Sequence, residues 1–332
     1  VKHELWRRSN RLFALVGLVA LSVGSMAVAA GADNGVQPDP SPSSGVHAAN
    51  DVASFTTVYN TDVAYAGLGG LRGGTGSGSI ALSGVTGTVT KAYLYWHGPT
   101  NSSDPAVNAG VTFAGSPITG TNIGVSSSNC WSFDNSQAWR ADVTSLVPGD
   151  GNYTIANLIK ANAEINGVEL VVFYQDADPS NNKDVVIFDG NDSNVSNSFD
   201  ALGWNVTLSG INYTAGNASI EMIVSDGQLF PEDGLTLNAS TLVAPGDIFD
   251  GLTVPDGGTA GATSGSLWDQ KNFDITSFLT PGPNTLNLVM GANSDDCLSL
   301  ISAQVELPAG SAPDQPPAPE PEPIVIAPRF TG

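Results

Sequence analysis

Apolar and polar residues alternate in short runs through most of this chain, the period expected of β-strands. Val89-Thr90-Lys91-Ala92-Tyr93-Leu94-Tyr95-Trp96 carries the β-branched and aromatic side chains that fit a pleated surface. Gly167-Val168-Glu169-Leu170-Val171-Val172-Phe173-Tyr174 is nearly unbroken in its apolar character, which predicts a strand buried on both faces. Asp184–Gly190, Ala218–Val224, Leu286–Met290 and Leu298–Leu307 complete the clearest strands, each bounded by Gly, Asn or Asp turn signals. Helical periodicity is nearly absent, and only residues 156–166 are predicted to make a helical turn. Many short strands between polar turns predict sandwiches rather than alternating α/β units.

The pattern also repeats. Ala141-Asp142-Val143-Thr144-Ser145-Leu146 returns as Phe273-Asp274-Ile275-Thr276-Ser277-Phe278, followed in both places within four residues by Pro-Gly. Ala81-Leu82-Ser83-Gly84-Val85 returns as Thr207-Leu208-Ser209-Gly210-Ile211, and Val111-Thr112-Phe113 as Leu235-Thr236-Leu237. The spacing is that of one domain, so one β-rich unit has been duplicated. In each Asp-x-Thr phrase the side chains are expected to satisfy turn amides while Pro and Gly fix the bend. The organisation that follows is a signal peptide at 1–30, a linker at 31–52, one sandwich at 53–180, a second at 181–307 and a Pro-rich tail at 308–332.

The two ends set the compartment. Lys2, Arg7, Arg8 and Arg11 precede an apolar stretch from Leu12 to Val23, and Ala27-Val28-Ala29-Ala30 supplies small residues for cleavage. This is the layout of a secretory leader; as an uncleaved anchor the apolar run would be short for a bilayer. No later segment is apolar enough to span a membrane. Pro308, Pro313, Pro316, Pro317, Pro319, Pro321 and Pro323 predict an extended spacer, and the ending lacks the spacing and hydrophobic tail of a sortase signal. The net charge of −21 disfavours nucleic acid and anionic lipid as partners. Cys130 and Cys297 are the only cysteines, and in an oxidising compartment they are expected to pair, tying one repeat to the other.

The Asp-Val-Thr turn, the apolar pair and the Asn-led strand start (Asn152-Tyr153-Thr154-Ile155, Asn284-Thr285-Leu286-Asn287-Leu288) resemble the jelly-roll sandwiches of the galactose-binding-like, carbohydrate-binding class. Together with residues 91–96 and Asn166–Tyr174, they also resemble uncharacterised exported prokaryotic surface proteins of the DUF3344 kind. Those resemblances imply a surface or extracellular role and assign no activity.

Candidate chemistry is sparse. Trp131, Trp139, Trp96 and His97 are the glycan-contact candidates, with Trp131 and Trp139 expected to be the exposed pair; the alternative for any large aromatic is a place in the core. Asp176, Asp178, Asn181 and Asp184 crowd oxygen ligands into one loop and make Ca²⁺ the one cofactor suggested, although EF-hand spacing is absent. Asp189, Asn191, Asp192 and Asn194, and Asp295-Asp296 beside Cys297, are further oxygen-rich clusters. His97 has no Gly-x-Ser-x-Gly elbow for a triad, and no His-Glu-x-x-His motif exists. The Gly-rich stretch 67–78 lacks the lysine of a phosphate loop and is expected to be a flexible loop.

The sequence therefore predicts an all-β protein of two tandem antiparallel β-sandwiches, jelly-roll-like. Its expected role is a secreted or cell-surface structural or adhesive protein, without catalytic activity, meeting an extracellular glycan or surface protein. A Ca²⁺-dependent carbohydrate-binding module and a polysaccharide hydrolase using a carboxylate pair are the alternatives.

Overall fold

The computed structural model describes residues 52–257, 265–291 and 295–311, which all belong to one compact unit. The predicted signal peptide, all but the last residue of the linker, and the tail beyond Ser311 lie outside the described residues. The first repeat forms β1 (Ala53–Leu68), β2 (Gly78–Leu82), β3 (Thr88–Thr100), β4 (Gly110–Phe113), β5 (Ser116–Thr119), β6 (Thr121–Ser126), β7 (Asn135–Asp142), β8 (Gly151–Ala156) and β9 (Gly167–Gln175). The second forms β10 (Lys183–Ser193), β11 (Asn205–Tyr213), β12 (Ser219–Ser225), β13 (Leu235–Leu237), β14 (Ser240–Val243), β15 (Trp268–Asp274), β16 (Gly282–Met290) and β17 (Ser299–Pro308). The fold is all-β, with only two single turns of 3-10 helix at Thr144–Leu146 and Thr276–Phe278 among the described residues.

Three antiparallel sheets result: a nine-stranded sheet ordered β15-β12-β17-β10-β1-β9-β3-β7-β6, and two four-stranded sheets, β11-β16-β13-β14 and β2-β8-β4-β5. The repeat seen in sequence is a repeat of topology. The run β10-β17-β12-β15 matches β1-β9-β3-β7 strand for strand, and β11-β16-β13-β14 matches β2-β8-β4-β5. Strand β6 has no counterpart.

Strand β1 joins the two halves of the large sheet. Its first part pairs with β10, from Ala53 opposite Asp189 to Thr61 opposite Lys183. From Asp62 onward it pairs with β9 instead. The register breaks between Val58 and Thr61, where Asn60 takes a left-handed φ of 49°. Such a bulge bends and twists a strand. It is held by the Asn60 amide donating to Asp184 Oδ1 at 2.9 Å and the Thr61 hydroxyl donating to the Tyr174 carbonyl at 3.0 Å.

Three cores follow. One lies between β11-β16-β13-β14 and the second-repeat half of the large sheet, around Trp204, Met222, Leu286 and Leu300. Its counterpart in the first repeat is built around Leu94, Trp96, Phe113, Trp139 and Leu170. The third packs the two half-sheets face to face: Tyr95, Val171 and Phe173 meet Val185, Ile187, Ile223, Trp268 and Ile301. Alternate residues of β9 serve different cores, which is why its sequence reads as apolar on both faces. The approach is close: a Cβ added at Gly167 would sit 2.7 Å from the Trp268 ring.

The Asp-x-Thr phrases make the same bonds in both repeats. The Thr144 amide donates to Asp142 Oδ1 at 2.9 Å and the Thr276 amide to Asp274 Oδ1 at 2.8 Å. Thr144 Oγ1 accepts from the Ala92 amide and Thr276 Oγ1 from the Ala218 amide, each at 2.9 Å. The phrase therefore stitches the end of β7 to Ala92 within β3 and the end of β15 to Ala218 just before β12.

Two local expectations are corrected. Residues 156–166 make no helical turn; Leu158 and Ile165 are buried, and Lys160 and Ala163 exchange backbone hydrogen bonds as a β-bridge. Their apolar anchors pin the segment to the first-repeat core, which overrides a weak helical preference. The first half of the Gly-rich 67–78 stretch, through Arg72, is packed rather than a free loop, while Gly73, Gly74, Thr75 and Ser77 are exposed. It holds Leu71 and Arg72 buried, and a Cβ at Gly70 would lie 1.8 Å from Asp256 Oδ1. Its glycines serve close approach.

Cys130 and Cys297 form a disulfide across 167 residues, joining the two repeats. Closing a loop of that length restricts the unfolded chain by about 5 kcal/mol in the chain-entropy account. Cys130→Ser/Cys297→Ser is expected to lose about 2–4 kcal/mol in denaturant unfolding. Reductant should reproduce that loss in the wild type and leave the variant unchanged. Thr276→Ala, which strips the Ala218 amide of its acceptor, is expected to cost about 1–2 kcal/mol in the same assay.

Candidate functional site

Polar chemistry collects at the two ends of β12. Beyond its C-terminal end, Arg72 donates to Asn166 Oδ1 (2.9 Å from Nε) and to Asp226 Oδ1 (2.7 Å from Nη2). Trp131 lies under the Arg72 guanidinium at 3.8 Å and donates its indole N–H to Asp226 Oδ2 at 2.7 Å. Asn166 Nδ2 donates to Ser225 Oγ at 2.9 Å, and the same oxygen lies 2.7 Å from His97 Nδ1. A serine–histidine pair thus exists that no sequence elbow announces. Both side chains are fully buried, and burial and then Arg72 push His97 down to about 3, so its imidazole is neutral. The pair is sealed from solvent, and the other ring nitrogen of His97, Nε2, is buried without a partner.

Before the N-terminal end of β12 lies an open groove of about 500 Å³. It is lined by Asn181 and Asn182 from the β9–β10 loop, Asn217 and Ser219 at the start of β12, Asn272 on β15, and Lys183 and Glu306 on β10 and β17. Behind its lining residues Lys183, Glu306 and Asn272 runs a buried polar network. Tyr65 Oη donates to Glu306 Oε1 at 2.8 Å and lies 3.1 Å from Gln304 Oε1. Lys183 pairs with Glu306, and Asn272 Nδ2 donates to Glu221 Oε2 at 2.9 Å. Asn182 Oδ1 in the lining, and Glu221 Oε1 and Gln304 Nε2 in the network behind it, are buried without a partner. Buried polar atoms without a partner point to water or ligand.

Burial pushes Glu221 up to about 7, against hydrogen bonds from Asn272 and Gln270, with Glu306 adding to the rise. Deeper in the central core, burial raises Glu169 to about 8, with Glu221 contributing, although the Trp268 indole N–H donates to it at 2.9 Å.

The residues singled out in sequence separate in space. Trp96 and Trp139 are both fully buried, stacked 6.3 Å apart in the first-repeat core, with their indole N–H groups on the Asn108 and Pro105 carbonyls. The expected exposure of Trp139 is corrected: it lies mid-strand in β7, not in the polar loop before it. His97 is sealed, and only Trp131 reaches the surface. Trp131 and the groove stand at opposite ends of β12, whose seven residues span about 20 Å.

The proposed Ca²⁺ loop divides similarly. Asp176 accepts from Thr86 Oγ1 (2.6 Å) and the Asp178 amide (2.7 Å), and Asp178 accepts from Ser180. Asn181 lines the groove. Asp184 is buried and turned away, binding the amides of Asn60 (2.9 Å) and Gly310 (2.8 Å), so the four do not converge. Among the described residues no group of three or more His, Cys, Asp or Glu is arranged to hold a metal.

Sequence reasoning missed the groove because no motif carries it. A usable signal existed: Glu221 in Ser219–Ser225, Glu306 in Ala303–Leu307 and Glu169 in Gly167–Tyr174 are lone carboxylates on otherwise apolar strands. Comparison with family models, curated proteins and solved structures gives no match to this chain. Among the described residues no helix is long and apolar enough to cross a membrane.

Two expectations follow. Because Glu169 has a higher pKa in the fold than in the unfolded chain, it keeps its proton where the unfolded chain has lost it. Its stabilising contribution is full below about 4.5 and is lost as pH rises through about 8. Glu169→Gln should flatten that slope and raise stability at pH 8 by about 1–3 kcal/mol, read from urea unfolding at several pH values. Trp139→Ala should cost about 3–5 kcal/mol by core truncation.

Proposed function

We propose that this is an exported, cell-surface structural or adhesive protein that holds neutral glycan in the groove beside β12 and β17 and does no chemistry on it. The observation that carries this reading is the lining: Asn181, Asn182, Asn217, Ser219 and Asn272 present amides and hydroxyls, and Asn182 Oδ1 among them has no partner. Side chains of that kind exchange directed hydrogen bonds with sugar hydroxyls, and the only cation, Lys183, is neutralised by Glu306. The leader-like N-terminus, the Pro-rich tail and the resemblance to exported surface proteins support the compartment. The disulfide, favoured in oxidising surroundings, agrees with them.

One observation favours a second reading. Glu221, pushed up to about 7 with Glu306 contributing, sets a raised carboxyl near a second one behind the groove, and glycoside hydrolysis works through two carboxyls. Ca²⁺ enters as a further arm, because Asn181 of the acidic loop also lines the groove.

The test is a polysaccharide and glycan binding screen of the full chain, with Ca²⁺ and with chelator, monitored also for released reducing ends. Specific binding weakened about ten-fold or more by Asn272→Ala/Ser219→Ala is the expected result. Loss on chelation would assign the site to a Ca²⁺-dependent module. Reducing ends that disappear in Glu221→Gln would replace binding with hydrolysis. Binding untouched by the groove variant would remove the glycan from this site.

A further inference from the structure

The described large hydrophobic side chains that stand out in solvent all occupy loops, and four of the five gather beyond the C-terminal end of β12. Leu229 and Phe230 are 47% and 44% exposed, Leu252 is 64% exposed and Trp131 36%. Their loops touch: Trp131 donates to Asp226, and a Cβ at Gly251 would lie 2.5 Å from the Gly227 carbonyl oxygen. The fifth, Leu202, lies on the neighbouring loop, which reaches this end through Asn194 donating to the Asp296 carbonyl at 2.9 Å. Isolated exposed leucines are ordinary, whereas a cluster of Trp, Phe and Leu on adjoining loops marks an interaction surface.

The surface is braced. The disulfide ties the Trp131 loop to Cys297, next to which Asp296 Oδ2 accepts the Gln228 amide at 2.8 Å. Glu232 accepts the amides of Ile248 and Phe249 at 2.6 and 3.0 Å, joining the Phe230 and Leu252 loops. Anchors already held in place lose little entropy on binding.

Charge chooses the occupant. Residues 127–133, 194–203, 226–234, 246–257 and 295–298 contain no Lys or Arg. Asp134, Asp247, Asp256 and Asp295 are exposed around the patch, and Asp233 and Asp250 are half-buried. The cations that approach, Arg72 and Lys271, are engaged by Asp226 and Asp250. An apolar centre inside an acidic rim repels a second copy of itself and an anionic bilayer, and it complements a basic amphipathic chain. We propose that this end of the molecule is a docking face for a cationic amphipathic segment of another protein, which seats apolar side chains on Trp131, Phe230 and Leu252 and sets Lys or Arg against the aspartate rim.

The test uses the full chain and a fluorescent amphipathic helical peptide of Leu, Trp and Lys. Its controls are a peptide of equal composition without an apolar face, polylysine, and zwitterionic and anionic vesicles. The expected result is that the amphipathic peptide binds at least about ten-fold tighter than the scrambled one. Leu229→Ser/Phe230→Ser/Leu252→Ser should abolish that preference while leaving polylysine binding and thermal unfolding unchanged. Asp247→Asn/Asp256→Asn/Asp295→Asn should weaken peptide binding and blunt its salt dependence. Equal binding of the two peptides, or a preference that survives the apolar variant, would overturn the proposal. Vesicle binding without peptide binding would overturn it in favour of a membrane.

Discussion

The structure depends on one strand belonging to two half-sheets. Strand β1 completes the second-repeat ladder with its first part and the first-repeat ladder with its second, and the break at Asn60 is where it changes allegiance. Neither half-sheet could then remain a sandwich with one solvated face. Each must present its outer face to the other, and the chain meets that demand with Tyr95, Phe173, Ile187, Ile223 and Trp268. The two topologically similar halves share this strand, and three sheets with three cores result.

The joining brings polar side chains inside an acidic protein. Where the inner faces meet, Arg140 pairs with Asp189, Arg72 with Asp226 and Lys183 with Glu306. Glu169, Glu221 and Asp296 have no such partner, and burial lifts them to about 8, 7 and 8. Carboxyls whose pKa burial raises to or above neutrality carry reduced charge there, which eases the closing of layers in a chain with net charge −21. Asp142 and Asp274 behave oppositely. Asp142 is lowered despite its burial, by Thr144 and Lys91, and Asp274 is lowered by Thr276, so both act as ionised turn acceptors.

The all-β class, the repeat, its Asp-x-Thr stitch and the disulfide were legible because each is local or is a pattern compared with itself. The joining of the half-sheets was not. Nothing around Asn60 distinguishes a strand that changes sheets from two strands with a turn, and only the register with Asp189 and Tyr174 reveals it. The candidate sites fared unevenly for a related reason. Trp139 follows a Ser/Asn-rich loop and reads as exposed, yet β7 begins at Asn135 and alternation turns Trp139 inward. Asp184 reads as part of an acidic loop, yet it is the first buried position of β10 and is taken by backbone amides. The groove is made by residues from four separate stretches of chain, and no linear pattern encodes such a convergence.

The direction of β1 and β17 along β10 governs how the body bears load. Both are antiparallel to β10; β1 enters opposite Asp189, and β17 leaves opposite Lys183. A pull on the two ends of the described chain, Val52 and Ser311, therefore slides β1 and β17 along β10 in opposite senses. The rungs of both ladders resist together in shear instead of parting one at a time as a zipper would. A chain held at both ends would carry tension through its most cross-bonded strand.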